Sequence, residues 1–144
     1  FSNLGPEPLG KFSLSDHLRK KALNRSVPIK TFIMNPAIVV GVGNIYASES
    51  LWCAHISPSR MARDLSKVEI QKLSRCIRRV LQKAISAGGT SFSDYRQIDG
   101  KTGYFQHELN VYGKSGMPCS RCFEPISEGR HAGRSSYWCP SCQL

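Results

Sequence analysis

Four cysteines near the end of the chain, Cys119, Cys122, Cys139 and Cys142, stand as C-x2-C, sixteen intervening residues, then C-x2-C. Each pair can form a tight knuckle, and the two together supply four thiolates in a tetrahedron, the donor set of one structural zinc ion. His131 lies between the pairs as a candidate further ligand, but four cysteines already complete such a site, so it reads as a surface histidine. Cys53 and Cys76 stand apart inside helical patterns and read as small buried hydrophobes in a reducing compartment, with a disulfide as the alternative.

A second stretch with chemical potential is Gly41 to Ser50, G-V-G-N-I-Y-A-S-E-S. Two glycines allow a tight turn, and Asn44 stands where a helix N-cap is favoured. The first turn of such a helix presents unpaired N–H groups and the positive dipole end, which suits a phosphate. Ile38-Val39-Val40 followed by Gly41-x-Gly43-x-x-Ala47 also fits a dinucleotide fingerprint as a string. That fingerprint needs a second strand ending in an acidic residue about 20 residues on, and the stretch at Asp64 leads into a helix instead. The plainest reading is a glycine turn that joins two packed elements.

Charge shifts the balance toward a phosphate partner. Twenty Lys and Arg against ten Asp and Glu give a formal charge of +10 and a pI near 9.6 over 144 residues. Such an excess favours a polyanion, nucleic acid first and an anionic membrane second. No apolar run approaches the roughly 20 residues of a membrane span and no signal peptide precedes Phe1, so a soluble, intracellular protein is expected. An apolar content of 40% can fill a modest core.

The elements that must position these residues follow from periodicity. Residues 1–10, with two prolines and two glycines, read as a linker or the cut edge of a longer protein. Ser13 or Ser15 can cap a helix over Asp16 to Asn24, with Phe12, Leu14, Leu18 and Leu23 on its apolar face. Arg19, Lys20 and Lys21 lie outside that face, either solvated or against DNA. Pro28 interrupts, a short second helix covers Ile29 to Met34, and Lys30 falls only a loop away from Gly41. A third helix runs from about Asn44 to Ala54, presenting Ile45, Leu51 and Trp52.

Ser66-x-x-Glu69 is a capping box that opens the clearest helix, with Val68, Leu73, Ile77, Val80, Leu81, Ala84 and Ile85 at helical spacing until Gly88-Gly89. Its cations, Lys67, Lys72, Arg75, Arg78, Arg79 and Lys83, read as a solvating face unless they point the same way as Lys30. From Thr90 to Gly113 the periodicity disappears and glycines and aromatics take over. Phe92, Tyr95, Tyr104, Phe105 and Tyr112 can either stack on an exposed base or pack over the helices. Lys114 to Leu144 is too short to bury a core without metal. Ile126, Tyr137 and Trp138 predict a small β-hairpin there that carries Arg130, His131 and Arg134, and Arg134 between Gly133 and Ser135 is the foremost phosphate contact.

Four strings together carry a resemblance: Gly41 to Ser50, Asp99-Gly-Lys-Thr-Gly-Tyr-Phe-Gln, Val111-Tyr-Gly, and Ala132-Gly-Arg before Cys139-Pro-Ser-Cys-Gln. Over nearly its whole length the chain resembles bacterial formamidopyrimidine-DNA glycosylase, and Gly103-Tyr104-Phe105 favours that enzyme over its endonuclease VIII relative. The resemblance implies a mainly α fold, a helix-two-turn-helix domain over residues 11–113 followed by a small zinc-bound β-hairpin finger over residues 114–144. It implies one structural Zn2+ on Cys119, Cys122, Cys139 and Cys142. It further implies a base-excision-repair glycosylase and AP lyase that removes 8-oxoguanine and formamidopyrimidines and cleaves the strand by β,δ-elimination, a bacterial cytoplasmic enzyme acting as a monomer on double-stranded DNA with oxidised purines or abasic sites.

Residue by residue, Lys30 and Asn44 resemble the family's phosphate holders at the damaged nucleotide, and Arg134 resembles the finger arginine that clamps the flanking phosphates and donates a proton in δ-elimination. Residues 90–106, with Thr90, Phe92, Tyr95 and Tyr104, resemble the loop that closes over the flipped base. The family often has a basic contact where Ser26 stands, and Arg25 beside it is the candidate substitute. The family's nucleophile is an N-terminal proline amine beside a glutamate on an N-terminal β-domain. Neither matches Phe1-Ser2, and Pro6-Glu7 is internal, so the chain alone is expected to form no Schiff base. The alternative from another class is a DNA-binding zinc protein that performs no chemistry.

Overall fold

A computed structural model describes residues 3–87 and 109–144. Four helices come first: α1 (Leu14–Ala22), α2 (Ile29–Met34), α3 (Asn44–Cys53) and, after a short 3-10 turn over Ala62–Asp64, α4 (Lys67–Ser86). Two antiparallel strands follow, β1 (Ser127–His131) and β2 (Arg134–Trp138). The mainly helical body followed by a small hairpin is the architecture expected of the sequence.

Each helix shows why it forms. In α1, Leu14, Leu18 and Ala22 recur at four-residue spacing and are buried, while Ser13 caps the first turn by accepting from the Asp16 N–H at 3.2 Å. The helix starts two residues earlier than the periodicity suggested, and Leu23, expected on the apolar face, lies beyond its end and is exposed. The α4 capping box closes reciprocally: Ser66 Oγ accepts from the Glu69 N–H at 3.1 Å, and Glu69 Oε1 accepts from the Ser66 N–H at 2.9 Å. Ile70, Leu73, Cys76, Ile77, Leu81 and Ala84 make its buried stripe. Val68 and Ile85 fall off that stripe and face solvent, a matter of helical phase that a count of apolar residues blurs. The helix ends at Ser86, before Gly88-Gly89, which lie outside the described residues.

α3 is the central rod: Ala47, Ser48, Glu49, Ser50 and Leu51 are all buried in succession, so no single polar face remains. It packs against α2, α4 and β2. The main core joins Leu14, Leu18, Ile29, Phe32, Ile33, Ile38, Leu51 and the α4 stripe, and a smaller one gathers Val111, Cys119, Ile126 and Cys139 in the finger.

Two features depart from the expectations. Cys53 on α3 and Cys76 on α4 form a disulfide, with Cα atoms 5.8 Å apart, and are not isolated thiols. The packing of α3 on α4 brings residues far apart in sequence face to face, which periodicity within either helix cannot reveal. Arg78, placed on a solvated face, is half-buried and donates to the carbonyls of Pro8, Gly10 and Phe12 at 2.8, 3.1 and 2.7 Å. It thereby ties residues 8–12 to α4. The same segment is pinned further by Gly5 N–H to Pro36 O at 2.8 Å and Val40 N–H to Pro6 O at 3.1 Å. A Cβ on Gly5 would lie 2.3 Å from the Ile38 carbonyl oxygen, so only glycine permits this approach.

Candidate functional site

Gly41 adopts φ +86°, the left-handed conformation that glycine takes without strain, and turns the chain into α3. The residue at the N-cap is Gly43, not Asn44. No atom lies within 4 Å of where a Gly43 Cβ would stand, so the helix start is open on that side. Asn44, the first helical residue, sends its side chain outward: Nδ2 donates to the Ser135 carbonyl at 2.9 Å. No side chain caps α3, and the Asn44 amide is taken by a long-range acceptor instead.

Lys30 converges on the same point. It is 1% exposed, and its Nζ donates to the Ser135 carbonyl at 3.0 Å. Burial, and then the nearby Arg134 guanidinium, lower its pKa to about 8. Arg134 opens β2 beside a two-residue turn, Ala132-Gly133, in which both residues have positive φ (52° and 78°). That pair matches the right-handed twist of the strands. Arg134 is exposed at the hairpin end, so three of the expected phosphate contacts, from α2, α3 and β2, meet around one carbonyl. His131 is half-buried rather than on the surface: Nδ1 pairs with Ser136 Oγ at 2.7 Å. Burial and then the charge of Lys30 hold its pKa below the usual histidine range.

The other expected site residues are placed differently. Arg25 is exposed after α1, its carbonyl accepting from the Arg63 N–H, and is not joined to the Lys30 cluster by any contact described. Thr90, Phe92, Tyr95 and Tyr104 lie outside the described residues.

The four cysteines come together as the spacing predicts. Their sulfurs all lie within 4.8 Å of one another, with Cys119 to Cys142 at 3.9 Å and Cys122 to Cys139 at 3.4 Å. Four thiolates at about 2.3 Å from a tetrahedral zinc ion would be about 3.8 Å apart, so the donor set and its size fit that metal. Burial pushes the Cys119 thiol up, but the Trp52 indole N–H and the backbone N–H groups of Arg121 and Cys122 outweigh it and hold the pKa below the usual thiol range.

Four side chains that position the site escaped sequence reasoning. Glu49, buried in α3, accepts from the N–H groups of Asn110, Val111 and Tyr112 at 2.8, 2.9 and 2.9 Å. It thus binds the backbone that leads into the finger. Trp52 donates to Cys119 Sγ at 3.4 Å, and the Arg121 guanidinium stacks 3.7 Å from the centre of its ring. Gln143 accepts from the Cys139 N–H at 2.8 Å and donates to the Ile56 carbonyl at 2.9 Å. The signals available were the strings Gly41 to Ser50 and Cys139 to Gln143, which contain Glu49 and Gln143 without showing their partners.

Comparison with known proteins supplies the context. A family model described as the formamidopyrimidine-DNA glycosylase H2TH domain matches residues 4–96. Formamidopyrimidine-DNA glycosylase of Cronobacter sakazakii is 49% identical over 142 residues, covering 99% of this chain and 53% of that protein. The Vibrio cholerae protein of the same name is 49% identical over 140 residues, covering 97% and 52%. The chain spans about half the length of the curated relatives it matches. Among solved structures, MutM in complex with carbocyclic 8-oxo-G containing DNA gives a TM-score of 0.85 at 39% identity, over 99% of this chain and 51% of that one. Lactococcus lactis Fpg with DNA containing an abasic site gives 0.86 at 39% identity over 99% and 51%. MutM (Fpg) from Thermus thermophilus gives 0.87 at 39% identity over 99% and 54%.

Proposed function

Because the chain belongs to the formamidopyrimidine-DNA glycosylase H2TH family, we propose that it is the DNA-binding half of a base-excision-repair glycosylase and AP lyase acting on duplexes with oxidised purines or abasic sites. The observation that carries this reading is the meeting of Lys30, Asn44 and Arg134 around the Ser135 carbonyl. Two cations and a helix N-terminus within one patch form an anion site. Their origin on three separate elements fixes a phosphate in space and does not merely attract it. The relatives in DNA complexes support the same partner.

Within that reading, zinc on Cys119, Cys122, Cys139 and Cys142 supplies the cross-link that folds the finger. Arg134 at the hairpin end holds the phosphates beside the lesion and is the proton donor of δ-elimination. Lys30 and Asn44 hold the phosphate of the damaged nucleotide, and Arg25 contacts the backbone nearby. The stretch 90–106, outside the described residues, is assigned recognition of the flipped base on the family resemblance. The amine nucleophile that removal of 8-oxoguanine and formamidopyrimidines needs is assigned, in this reading, to the half of the relatives that this chain does not span, so the chain is given binding and not the covalent step.

The test is fluorescence anisotropy of the zinc-loaded chain on a duplex with an abasic-site analogue against the undamaged duplex, at two salt concentrations. Tighter, salt-sensitive binding to the abasic duplex is expected. Binding that ignores salt would remove the phosphate reading altogether.

A further inference from the structure

We propose that Trp52 and Arg121 are positioning residues that join the zinc knuckle to the C-terminal end of α3, and so set where Arg134 stands relative to Lys30 and Asn44. The inference rests on the DNA-binding reading for its last step only.

The geometry is a closed loop of contacts. Trp52 Nε1–H points at the sulfur of a metal ligand, Cys119, at 3.4 Å. Arg121, inside the same C-x2-C pair, lays its guanidinium on the Trp52 ring at 3.7 Å. One Arg121 Nη–H donates to the Trp52 carbonyl, and the other donates to His55 Nε2 at 2.9 Å. The Arg121 N–H also donates to Cys119 Sγ at 3.4 Å. Indole, guanidinium and thiolate therefore orient one another. A stacked guanidinium with a fork of donors is a group that lysine cannot reproduce.

At its other end α3 reaches the finger through Asn44 and the Ser135 carbonyl. The finger is thus gripped at both ends of one helix, at a metal ligand and at the residue next to Arg134. Outer-shell donors to a ligating sulfur fix its orientation and lower its electron density. Trp52 carries that function here, because its N–H comes from the helical body and not from the finger itself.

Two variants test this in the 144-residue protein. Trp52→Phe keeps an aromatic ring for Arg121 to lie on, while it removes the N–H donor and the smaller ring of the indole. Its Co2+-substituted form should show the thiolate-to-cobalt charge-transfer band at longer wavelength than the parent, and its zinc affinity should fall by about 10- to 100-fold. Arg121→Met keeps a chain that can lie on the ring and removes the fork. It should retain one zinc per chain by colorimetric release, yet bind the abasic duplex more weakly, with Arg121→Lys no better. An unmoved cobalt band in Trp52→Phe, or unchanged duplex affinity in Arg121→Met, overturns the proposal. If the parent chain binds no duplex, the DNA reading fails, and the cobalt band and zinc affinity still decide whether Trp52 acts on the metal site.

Discussion

Lys30 and Asn44, on different helices, donate to a single acceptor, the Ser135 carbonyl, at 3.0 and 2.9 Å. A carbonyl oxygen has two lone pairs, and here both are taken by side chains from the helical body. The strand that carries Arg134 is therefore registered against two helices by one backbone atom. Four outcomes follow from this arrangement and from the contacts that support it.

Arg134→Ala removes the one exposed member of the cluster and leaves the Ser135 carbonyl in place. Binding to an abasic duplex should weaken by about 10-fold or more, the worth of a charge-assisted hydrogen bond. The slope of log affinity against log salt should flatten by about 0.9, one phosphate's share. An unchanged slope in the anisotropy titration would take Arg134 off the list of phosphate contacts.

Lys30 gives a pH dependence with a definite sign. Burial and Arg134 hold its pKa at about 8 in the free protein, and His131 behind it adds no countercharge. A phosphate favours the charged amine, so the complex binds the proton more tightly than the free chain. Affinity should be level below pH 8 and fall as pH rises through and above it, by up to about tenfold per pH unit for one proton. Lys30→Met should remove the fall. A profile flat to pH 9.5 in the parent would exclude Lys30 from the contact.

Chelation of the metal separates the two halves of the fold. Among the described residues the finger core is Val111, Cys119, Ile126 and Cys139 with Trp52, Cys122, Tyr137 and Cys142 packed against them, too little to hold residues 114–144 unaided. Far-UV circular dichroism should keep most of its helical signal after chelation, while duplex binding collapses. Retention of full affinity in the chelated protein would place the contacts on the helices alone.

The Cys53–Cys76 bond closes a loop with a sequence separation of 23. By chain entropy such a link stabilises by about 3 kcal/mol. The double variant Cys53→Ala, Cys76→Ala should therefore melt about 10 °C below the oxidised parent, a shift of the size expected for a domain of this length. Coincident melting curves would mean that the helices gain nothing from the link.

What the sequence made legible is what local chemistry decides. α2 over Ile29–Met34, the Ser66 and Glu69 capping box and the four-cysteine cluster all depend on residues close together in the chain or on an unmistakable ligand spacing. Lys30 near the Gly41 turn and Arg134 on the hairpin were read from the residues, and phosphate roles for Lys30 and Asn44 from the family resemblance, but their meeting at the Ser135 carbonyl was not legible. The rest was hidden because its partners are remote. Asn44 looked like a cap because the cap is the nearest use for its amide, whereas the acceptor lies 91 residues away. Arg78 looked solvated because the three carbonyls it serves belong to a segment with no periodicity. Glu49 and Trp52 gave no local sign at all, since a buried carboxylate and an indole N–H declare themselves only when their acceptor or donor is in view.

The separations across α3 also rank the cost of closing each contact. The two cysteine pairs that close the knuckle are 17 and 23 residues apart, whereas Glu49 to Val111, Trp52 to Cys119 and Asn44 to Ser135 span 62, 67 and 91. Long loops close late, because their entropy must be given up before the contact rewards it. Loop closure therefore costs least within the metal knuckle, and the cluster of Lys30, Asn44 and Arg134 is complete only when that knuckle is docked on α3.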